Sequence, residues 1–356
     1  MHAGLEIGMT LPQVVLKGRS QAFRVQIVER AEDSVFYQPF ISQKAPVGIN
    51  SNDWMQWRAQ AAAHIMDEIV PAYKAFTDFF EQDYIERARQ TIAARDLPNG
   101  EAYYQDQVKY YTTLNISPDE VHDIGLKEVA RIREEMNAII SELEFSGDFA
   151  DFLAFLRKDE QFYAPSAEAL LMRAAWIAKR ADAALPKLFN QLPRQPYGVA
   201  PVPDEIAPYY TGGRYIPAPS DGRGAAYYWV NTYQLKSRPL YVLPALTLHE
   251  AVPGHHLQNA LAAERGDQPE FRRNDYISAY GEGWGLYSEY LGIEMGIYQT
   301  PYEHFGRLTY EMWRACRLVV DTGIHWKNWS RQQALDYLAS NTALSLHEVE
   351  TEIDRY

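Results

Sequence analysis

The sequence predicts a mainly α-helical protein with a small β-rich insertion. Most of the chain repeats apolar residues with a helical period, whereas 10 of the 20 prolines fall between Pro186 and Pro244. Proline removes a backbone donor and interrupts helices, so this stretch cannot be continuous helix. We therefore expect a helical part at 1–190, a Pro/Gly-rich segment with strands at 191–245, and a second helical part at 246–356.

The clearest helix start is Ser117-Pro118-Asp119-Glu120. Ser117 is a capping residue, Pro118 suits the first turn, and Glu120 completes a capping box. The apolar stripe that follows predicts a helix to about residue 145, where Ser146-Gly147 ends it. Comparable patterns predict eight further helices, at 53–80, 82–94, 149–157, 166–185, 246–265, 275–297, 302–326 and 330–339.

Three short runs, 206–210, 214–217 and 225–232, are aromatic or β-branched enough to be strands of a small sheet. The segment 225–231 has two interpretations. It is an edge strand that holds an extended peptide by main-chain hydrogen bonds, or a core strand with half-buried tyrosines. Its closeness in sequence to the histidines described below favours the first interpretation.

Composition excludes several classes of function. The chain has 34 Lys plus Arg against 47 Asp plus Glu, a net charge of −13, and no basic run that would bind nucleic acid. Its longest nearly apolar stretch, 240–248, is far shorter than a membrane span, and no signal peptide is visible. The single cysteine, Cys316, excludes an internal disulfide. We expect a soluble chain, cytoplasmic or periplasmic, of open oligomeric state.

The most informative segment is Thr247 to Gln258, which contains His249-Glu250 and His255-His256. Zinc hydrolases commonly place two histidines one helical turn apart, with a glutamate after the first. Here the residue four after His249 is Pro253, and a straight helix would carry His255 about 9 Å along its axis. A zinc site therefore requires a break, which Pro253-Gly254 can supply.

A third metal ligand is offered by Glu282, which lies between glycines in Tyr280-Gly281-Glu282-Gly283-Trp284-Gly285. Each helical glycine costs roughly 1 kcal/mol relative to alanine, so we expect these to allow close packing on the histidine helix. Glu289 lies seven residues on, on the same helix face, and is a candidate partner for a ligating histidine.

Each motif also has a structural explanation. Adjacent histidines beside an acid can form a helix end, and a Gly-Glu-Gly segment can be a packing device with a solvated carboxylate. The two motifs together favour a site, because 25 to 30 residues between them suit one helix hairpin.

Other polar residues are candidates for stabilising an oxyanion. Tyr276 and Tyr280 lie near Glu282 in the sequence, and Arg317, Asp321 and His325 recur every four residues on an otherwise apolar helix. The line of three is either structural bracing or one wall of the site.

At these residues the chain resembles the bacterial family known as domain of unknown function 885, which is grouped with glutamate-ligand zinc peptidases such as thimet oligopeptidase and angiotensin-converting enzyme. The family signature, His-Glu-x-x-Pro-Gly-His followed by His or an aromatic, is matched by His249 through His256, and a Glu-Gly-Trp segment by Glu282 through Trp284. Further matches lie at 97–104, 112–113, 122–126, 227–231 and 317–325.

This resemblance implies a helical metallopeptidase-like scaffold that forms one catalytic unit and hydrolyses a peptide or small amide. It implies that His249, His255 and Glu282 bind Zn²⁺ or another divalent transition metal, and that Glu250 is the general base. His255 is preferred to His256, because the pattern tolerates an aromatic residue at the latter position. The family pattern is longer at both ends, so we expect a catalytic portion truncated at both ends.

Two other functions stay open on the sequence. The same metal site could serve an amidase or esterase that acts on a non-peptide substrate. Alternatively, the chain is an inactive, metal-free helical fragment. We expect Tyr280, Arg317 and His325 to assist Glu250 if the site is catalytic.

Overall fold

The computed structural model describes residues 1–204, 206–219, 223–266 and 268–356, without the side chains of Tyr209 and Asn274. The fold is mainly α-helical with one small sheet, as the sequence predicts. The chain forms two compact units, Met1–Glu101 and Ala102–Tyr356. No helix in the described ranges is both long enough and apolar enough to span a membrane.

The first unit contains a long helical run. Its helices are α1 (His2–Ile7), α2 (Gln13–Leu16), α3 (Gln21–Arg24), α4 (Ser51–His64), α5 (Val70–Phe79) and α6 (Ile85–Arg87). Two π-helical turns, Ile65–Ile69 and Phe80–Tyr84, join α4, α5 and α6 without a break. The helix predicted at 82–94 ends at Arg87, because Ala88 is extended and the N–H of Arg89 donates to Thr10 Oγ1 instead.

The second unit carries the remaining helices. They are α7 (Gly100–Thr112), which begins in the first unit, α8 (Pro118–Glu142), α9 (Phe149–Lys158), α10 (Ala167–Ala184), α11 (Leu243–Glu250), α12 (His255–Ala263), α13 (Glu270–Asn274), α14 (Ser278–Glu294), α15 (Pro301–His325), α16 (Arg331–Asn341) and α17 (Leu346–Ile353). Of these helices, α7, α13 and α17 were not predicted from the sequence.

Helices α8 and α15 pack closely along one another. The predicted capping box starts α8, since Ser117 accepts from the N–H of Glu120 and Glu120 accepts from the N–H of Ser117. At Gly125 a Cβ atom would lie 2.7 Å from Leu318 Cβ, so only glycine permits this approach. The resulting helix pair is the framework on which the C-terminal half of the chain is built.

The sheet has the strand order β1-β3-β2, where β1 is Tyr197–Pro201, β2 is Gly213–Ile216 and β3 is Ala226–Val230. Strand β1 is parallel to β3, and β2 is antiparallel to it. Strand β3 falls within the run predicted at 225–232, and β2 overlaps the run predicted at 214–217 but begins one residue earlier. The prediction of an edge strand at 225–231 is wrong, because β3 pairs on both sides.

The predicted strand at 206–210 is also wrong, since Ala207–Tyr209 form a 3-10 helical turn. The carbonyl of Pro203 accepts from the N–H groups of Ile206 and Ala207, which curls the chain, and Pro208 suits the start of a helical turn. Strand β1 takes the place in the sheet that this run was expected to fill. Its sequence, Tyr-Gly-Val-Ala-Pro, gave no strong strand signal.

Candidate metal centre

The histidine helix breaks where Pro253 and Gly254 predict. Helix α11 ends at Glu250, and α12 begins at His255 after a four-residue loop that contains the cis peptide Val252-Pro253. A Cβ atom at Gly254 would lie 1.9 Å from the carbonyl oxygen of His249, so a side chain there is sterically excluded. The loop folds His255 back so that the rings of His249 and His255 have centroids 4.7 Å apart, at 85°.

Helix α14 delivers Glu282 to these histidines. It starts at Ser278, three residues later than predicted, and the indole N–H of Trp284 donates to the carbonyl of Pro253 at 2.8 Å. A Cβ atom at Gly285 would lie 2.3 Å from Cε1 of His249, so this glycine is required for the close approach. Gly283 differs, since nothing lies within 4 Å of an added Cβ.

The three predicted ligand side chains converge. Nε2 of His249 lies 3.4 Å from Oε2 of Glu282, and Nε2 of His255 lies 3.7 Å from Oε1 of Glu282. One ligand atom from each residue lies within 4.8 Å of the other two. Ligand atoms about 2.0 to 2.1 Å from a tetrahedral ion would be about 3.3 Å apart, so small shifts would let all three meet one ion.

A buried pair of charges holds His249 from behind. Its Nδ1 lies 2.9 Å from Oε1 of Glu289, as the seven-residue spacing from Glu282 predicts. Nη2 of Arg314 on α15 lies 3.0 Å from the same carboxylate oxygen and 3.0 Å from Nδ1 of His249. With the proton on Nδ1, His249 donates to Glu289 and leaves Nε2 free to face Glu282, which is the arrangement that a metal ligand requires.

The neighbouring histidines have different surroundings. Nδ1 of His255 lies 3.5 Å from Oε1 of Gln258, one turn along α12, so Gln258 orients this ring toward Glu282. His256 instead contacts the carbonyl of Gln195 through Nε2 at 2.9 Å and packs on the ring of Tyr197. These contacts favour His255 over His256 as the second ligand.

Glu250 is tied to the sheet. Its Oε2 accepts from the backbone N–H of Tyr215 on β2 at 2.7 Å. Burial raises the pKa of Glu250, while the neighbouring His249 and the bond from Tyr215 oppose that effect. A raised pKa makes the Glu250 carboxylate a stronger base, which suits a proton acceptor beside the cluster.

The ionisable groups of the cluster shift one another's pKa values. Burial and Arg314 lower the pKa of His249, but hydrogen bonds to Glu282 and Glu289 outweigh them and raise it to about 9. Burial and the charge of His249 lower the pKa of His255 to about 4. The hydrogen bond from His249 lowers the pKa of Glu282 to about 2.

The two candidate tyrosines differ in position. The hydroxyl of Tyr276 donates to Oε1 of Glu282 at 3.3 Å, and partial loss of solvation together with this carboxylate raises its pKa to about 12. Both side chains are largely exposed, Tyr276 by 55% and Tyr280 by 67%, but the hydrogen bond to Glu282 is made by Tyr276. The structure therefore brings Tyr276 to the cluster, whereas Tyr280 lies on the outside of α14.

The predicted line on α15 makes contacts of a bracing kind. Arg317 donates to Glu352 and to the hydroxyl of Tyr356, and Asp321 accepts from the hydroxyl of Tyr104 at 2.5 Å. Nε2 of His325 lies 3.2 Å from the carbonyl oxygen of Tyr356. Bracing of the C-terminal helix is thus the alternative that the contacts of Arg317 and His325 favour.

Three contributors to the site were missed by the sequence analysis: Arg314, Gln258 and the backbone N–H of Tyr215. Gln258 carries a usable signal, because it lies three residues after His255 on the same helix face. Arg314 is a cation in an apolar helix, one turn before the predicted Arg317. Tyr215 had no signal, since its role depends on a main-chain group of a distant strand.

The fold and the cluster together define a mainly helical protein with a candidate His-His-Glu metal centre. The chain belongs to the family described as bacterial protein of unknown function (DUF885), which matches residues 1–356. This confirms the family resemblance given by the sequence.

A solved structure from Colwellia psychrerythraea, described as a "putative lipoprotein", is similar over the whole of this chain. The two share 32% sequence identity with a TM-score of 0.92. This chain spans 62% of the length of that chain. A comparison with curated proteins finds no match.

Proposed function

We propose that this chain hydrolyses peptide bonds, with a divalent metal ion, zinc in the first place, held by His249, His255 and Glu282. The observation that carries the proposal is the convergence of these three side chains, whose ligand atoms lie within 4.8 Å of one another. Two imidazoles and one carboxylate are a ligand set of catalytic zinc sites and leave a position open for substrate. The surrounding contacts support this set, because Glu289 and Gln258 orient both rings.

When bound, such an ion acts as a Lewis acid that polarises a carbonyl group and lowers the pKa of a water molecule. Glu250 is the general base of the proposal. Its carboxylate accepts a proton from the attacking water and passes it to the leaving amine. Tyr276 is the donor toward the developing oxyanion, because its hydroxyl lies at Glu282 and its raised pKa keeps it protonated.

The sheet edge offers a place for the substrate backbone. In the described part of the chain β2 pairs with β3 on one side, and the N–H of Tyr215 points to the other side, toward Glu250. An extended peptide could add to this edge by main-chain hydrogen bonds. The role that the sequence analysis gave to the segment 225–231 is thus proposed for β2.

The proposal is tested by metal content and peptide hydrolysis measured on the same samples. After zinc loading and removal of free metal, we expect one zinc per chain in the wild type and background levels in His249→Ala and Glu282→Gln. Glu250→Gln should retain zinc but lose roughly 10²- to 10⁴-fold in hydrolysis rate, as for removal of a general base.

Two exposed residues provide matched controls. Glu294→Gln lies on the same helix as Glu282, and His347→Ala removes an exposed histidine, so both should keep zinc and activity. Absence of stoichiometric zinc from the loaded wild type would refute the metal site. Peptide turnover unaffected in Glu250→Gln would refute the assigned base, and turnover of amides or esters without peptides would redirect the proposal to a non-peptide hydrolase.

A further inference from the structure

A second polar site lies in the same unit as the candidate metal centre. It is an open pocket of about 320 Å³, mouth included, whose lining includes two side chains of opposite charge, Arg238 and Glu348, and the hydroxyl-bearing Tyr310. Asn231 and Ser237 also line it. The apolar wall consists of Leu170, Val230, Val242, Leu243 and Leu246. We call it the Arg238 pocket. Apolar walls with a few convergent polar groups are typical of small-molecule sites.

Arg238 is buried without adequate partners. Its side chain belongs to a residue only 8% exposed, and its Nε has no hydrogen-bond partner among the described residues. Its hydrogen bond to protein runs from Nη1 to the carbonyl of the adjacent Ser237, at a long 3.3 Å. A guanidinium carries five N–H donors, and a buried charge without a partner is strongly unfavourable.

Glu348 on α17 supplies the opposite charge to the pocket. Burial, helped by the like charge of Glu352, raises the pKa of Glu348 to about 7, although the charge of Arg238 opposes this shift. The hydroxyl of Tyr310 lies nearby. A Cβ atom at Gly212 would be 3.7 Å from this hydroxyl and 3.8 Å from Oε1 of Glu348, so both groups face Gly212.

We infer that the Arg238 pocket binds a small free amino acid as its zwitterion, with the carboxylate on Arg238 and the ammonium group on Glu348. A simple anion would compensate Arg238 and repel Glu348, and a simple cation would do the reverse. A zwitterion compensates both at once, and the hydroxyl of Tyr310 can hydrogen-bond to either end. The apolar wall admits a short side chain, so glycine and L-alanine are the ligands that fit.

The pocket borders the metal centre along one helix. Leu243 and Leu246 of α11 form part of its wall, and His249 and Glu250 follow on the same helix. Free amino acids are also what complete peptide hydrolysis releases. Amino-acid binding in the pocket nevertheless does not depend on the proposed function, because none of the three candidate metal ligands lines the pocket.

The test is isothermal titration calorimetry of the 356-residue chain with glycine and L-alanine at pH 8, where Glu348 is ionised. Sodium acetate and methylammonium chloride serve as probes of each charge alone. We expect glycine and L-alanine to bind with a Kd on the order of 1 mM or tighter. Acetate and methylammonium should each bind at least roughly tenfold more weakly. Glu348→Gln should weaken glycine binding roughly tenfold or more, while the exposed control Glu350→Gln should leave it unchanged.

Several outcomes would overturn the inference. No binding of either amino acid would mean that water alone fills the pocket. Acetate bound as tightly as glycine would mean an anion site at Arg238. Circular dichroism checks that Glu348→Gln is folded. If it is not, Tyr310→Phe takes its place in the titration. We then expect weaker glycine binding, and unchanged binding would count against the site.

Discussion

The candidate metal centre and the Arg238 pocket both border α11, but they compensate their charges differently. In the metal centre, His249, Glu282, Glu289 and Arg314 are held by ion pairs of 2.9 to 3.4 Å, although Oε2 of Glu289 has no hydrogen-bond partner among the described residues. In the Arg238 pocket, a buried guanidinium and a carboxyl group act on each other only at a distance. A site whose charges satisfy one another keeps its shape when empty. A site whose charges do not is less stable until a ligand enters.

The largest effect is expected at the buried pair behind His249. Glu289→Gln removes the carboxylate charge that compensates Arg314 and should lower the free energy of unfolding by about 3 to 5 kcal/mol. Zinc affinity should fall roughly 10- to 100-fold, since a neutral amide is a weaker and less directional acceptor for His249 than the carboxylate. Urea unfolding of the metal-free protein and zinc competition titrations measure the two effects. Unchanged stability would show that the metal centre does not depend on paired charges.

The pocket should respond to pH in the opposite way to a salt-bridged acid. The folded-state pKa of Glu348 is about 7, above the usual 4.5, so its favourable contribution is complete below pH 4.5 and is lost as the pH rises through 7. The Glu348→Gln variant has no carboxyl group to ionise at this position, so its stability does not fall for this reason as the pH rises. The variant should therefore gain up to about 3 kcal/mol relative to the wild type between pH 4.5 and pH 8, without added amino acids. Urea unfolding at both pH values checks this, and a difference independent of pH would contradict it.

A smaller effect tests the close packing of α14 on His249. Gly285→Ala places a methyl group 2.3 Å from the imidazole and should destabilise the protein by about 1 to 3 kcal/mol, with weakened zinc binding. Gly283→Ala is the matched control on the same helix. It meets nothing within 4 Å and should stabilise the helix by up to about 1 kcal/mol. Thermal unfolding of both variants measures the difference. Equal changes in Tm would mean that the close approach of α14 to His249 does not require glycine at position 285.

The smallest effect is expected at Tyr280. Since this side chain is 67% exposed, Tyr280→Phe should change the free energy of unfolding by less than about 0.5 kcal/mol and leave zinc binding intact. Tyr276→Phe removes the donor to Glu282 and should slow peptide hydrolysis roughly 10²-fold if the proposed function holds. A larger loss of activity at Tyr280 than at Tyr276 would reverse their proposed roles.

The parts of the candidate site that the sequence predicted all rest on short-range geometry. Pro253-Gly254 requires a helix break, the glycines around Glu282 indicate close packing, and a seven-residue step places Glu289 on the same face. Each of these is a property of one segment. The fold class follows in the same way from helical periodicity and from the clustered prolines.

What the sequence could not predict depends on distant partners. The strand order β1-β3-β2, which makes β2 the strand beside Glu250, is not encoded in the composition of any single strand. Arg314 and Arg317 are both arginines, three positions apart on the same helix. Arg314 nevertheless contacts Glu289, whereas Arg317 pairs with Glu352. Helical rotation separates their roles, and the sequence does not show which face meets which neighbour.

Helix α15 links these roles mechanically. Within its 25 residues it carries Tyr310 at the Arg238 pocket, Arg314 behind His249, and Arg317 with His325 at the C-terminal contacts. A helix advances about 1.5 Å and turns about 100° per residue. The spacing of these residues along α15 therefore fixes both the distance and the angle between the pocket, the metal centre and the C-terminal contacts. One residue inserted between Tyr310 and Arg314 would rotate the rest of the helix by about 100° relative to Tyr310. Tyr310 could then no longer lie in the Arg238 pocket while Arg314 contacts Glu289 and Arg317 contacts Glu352.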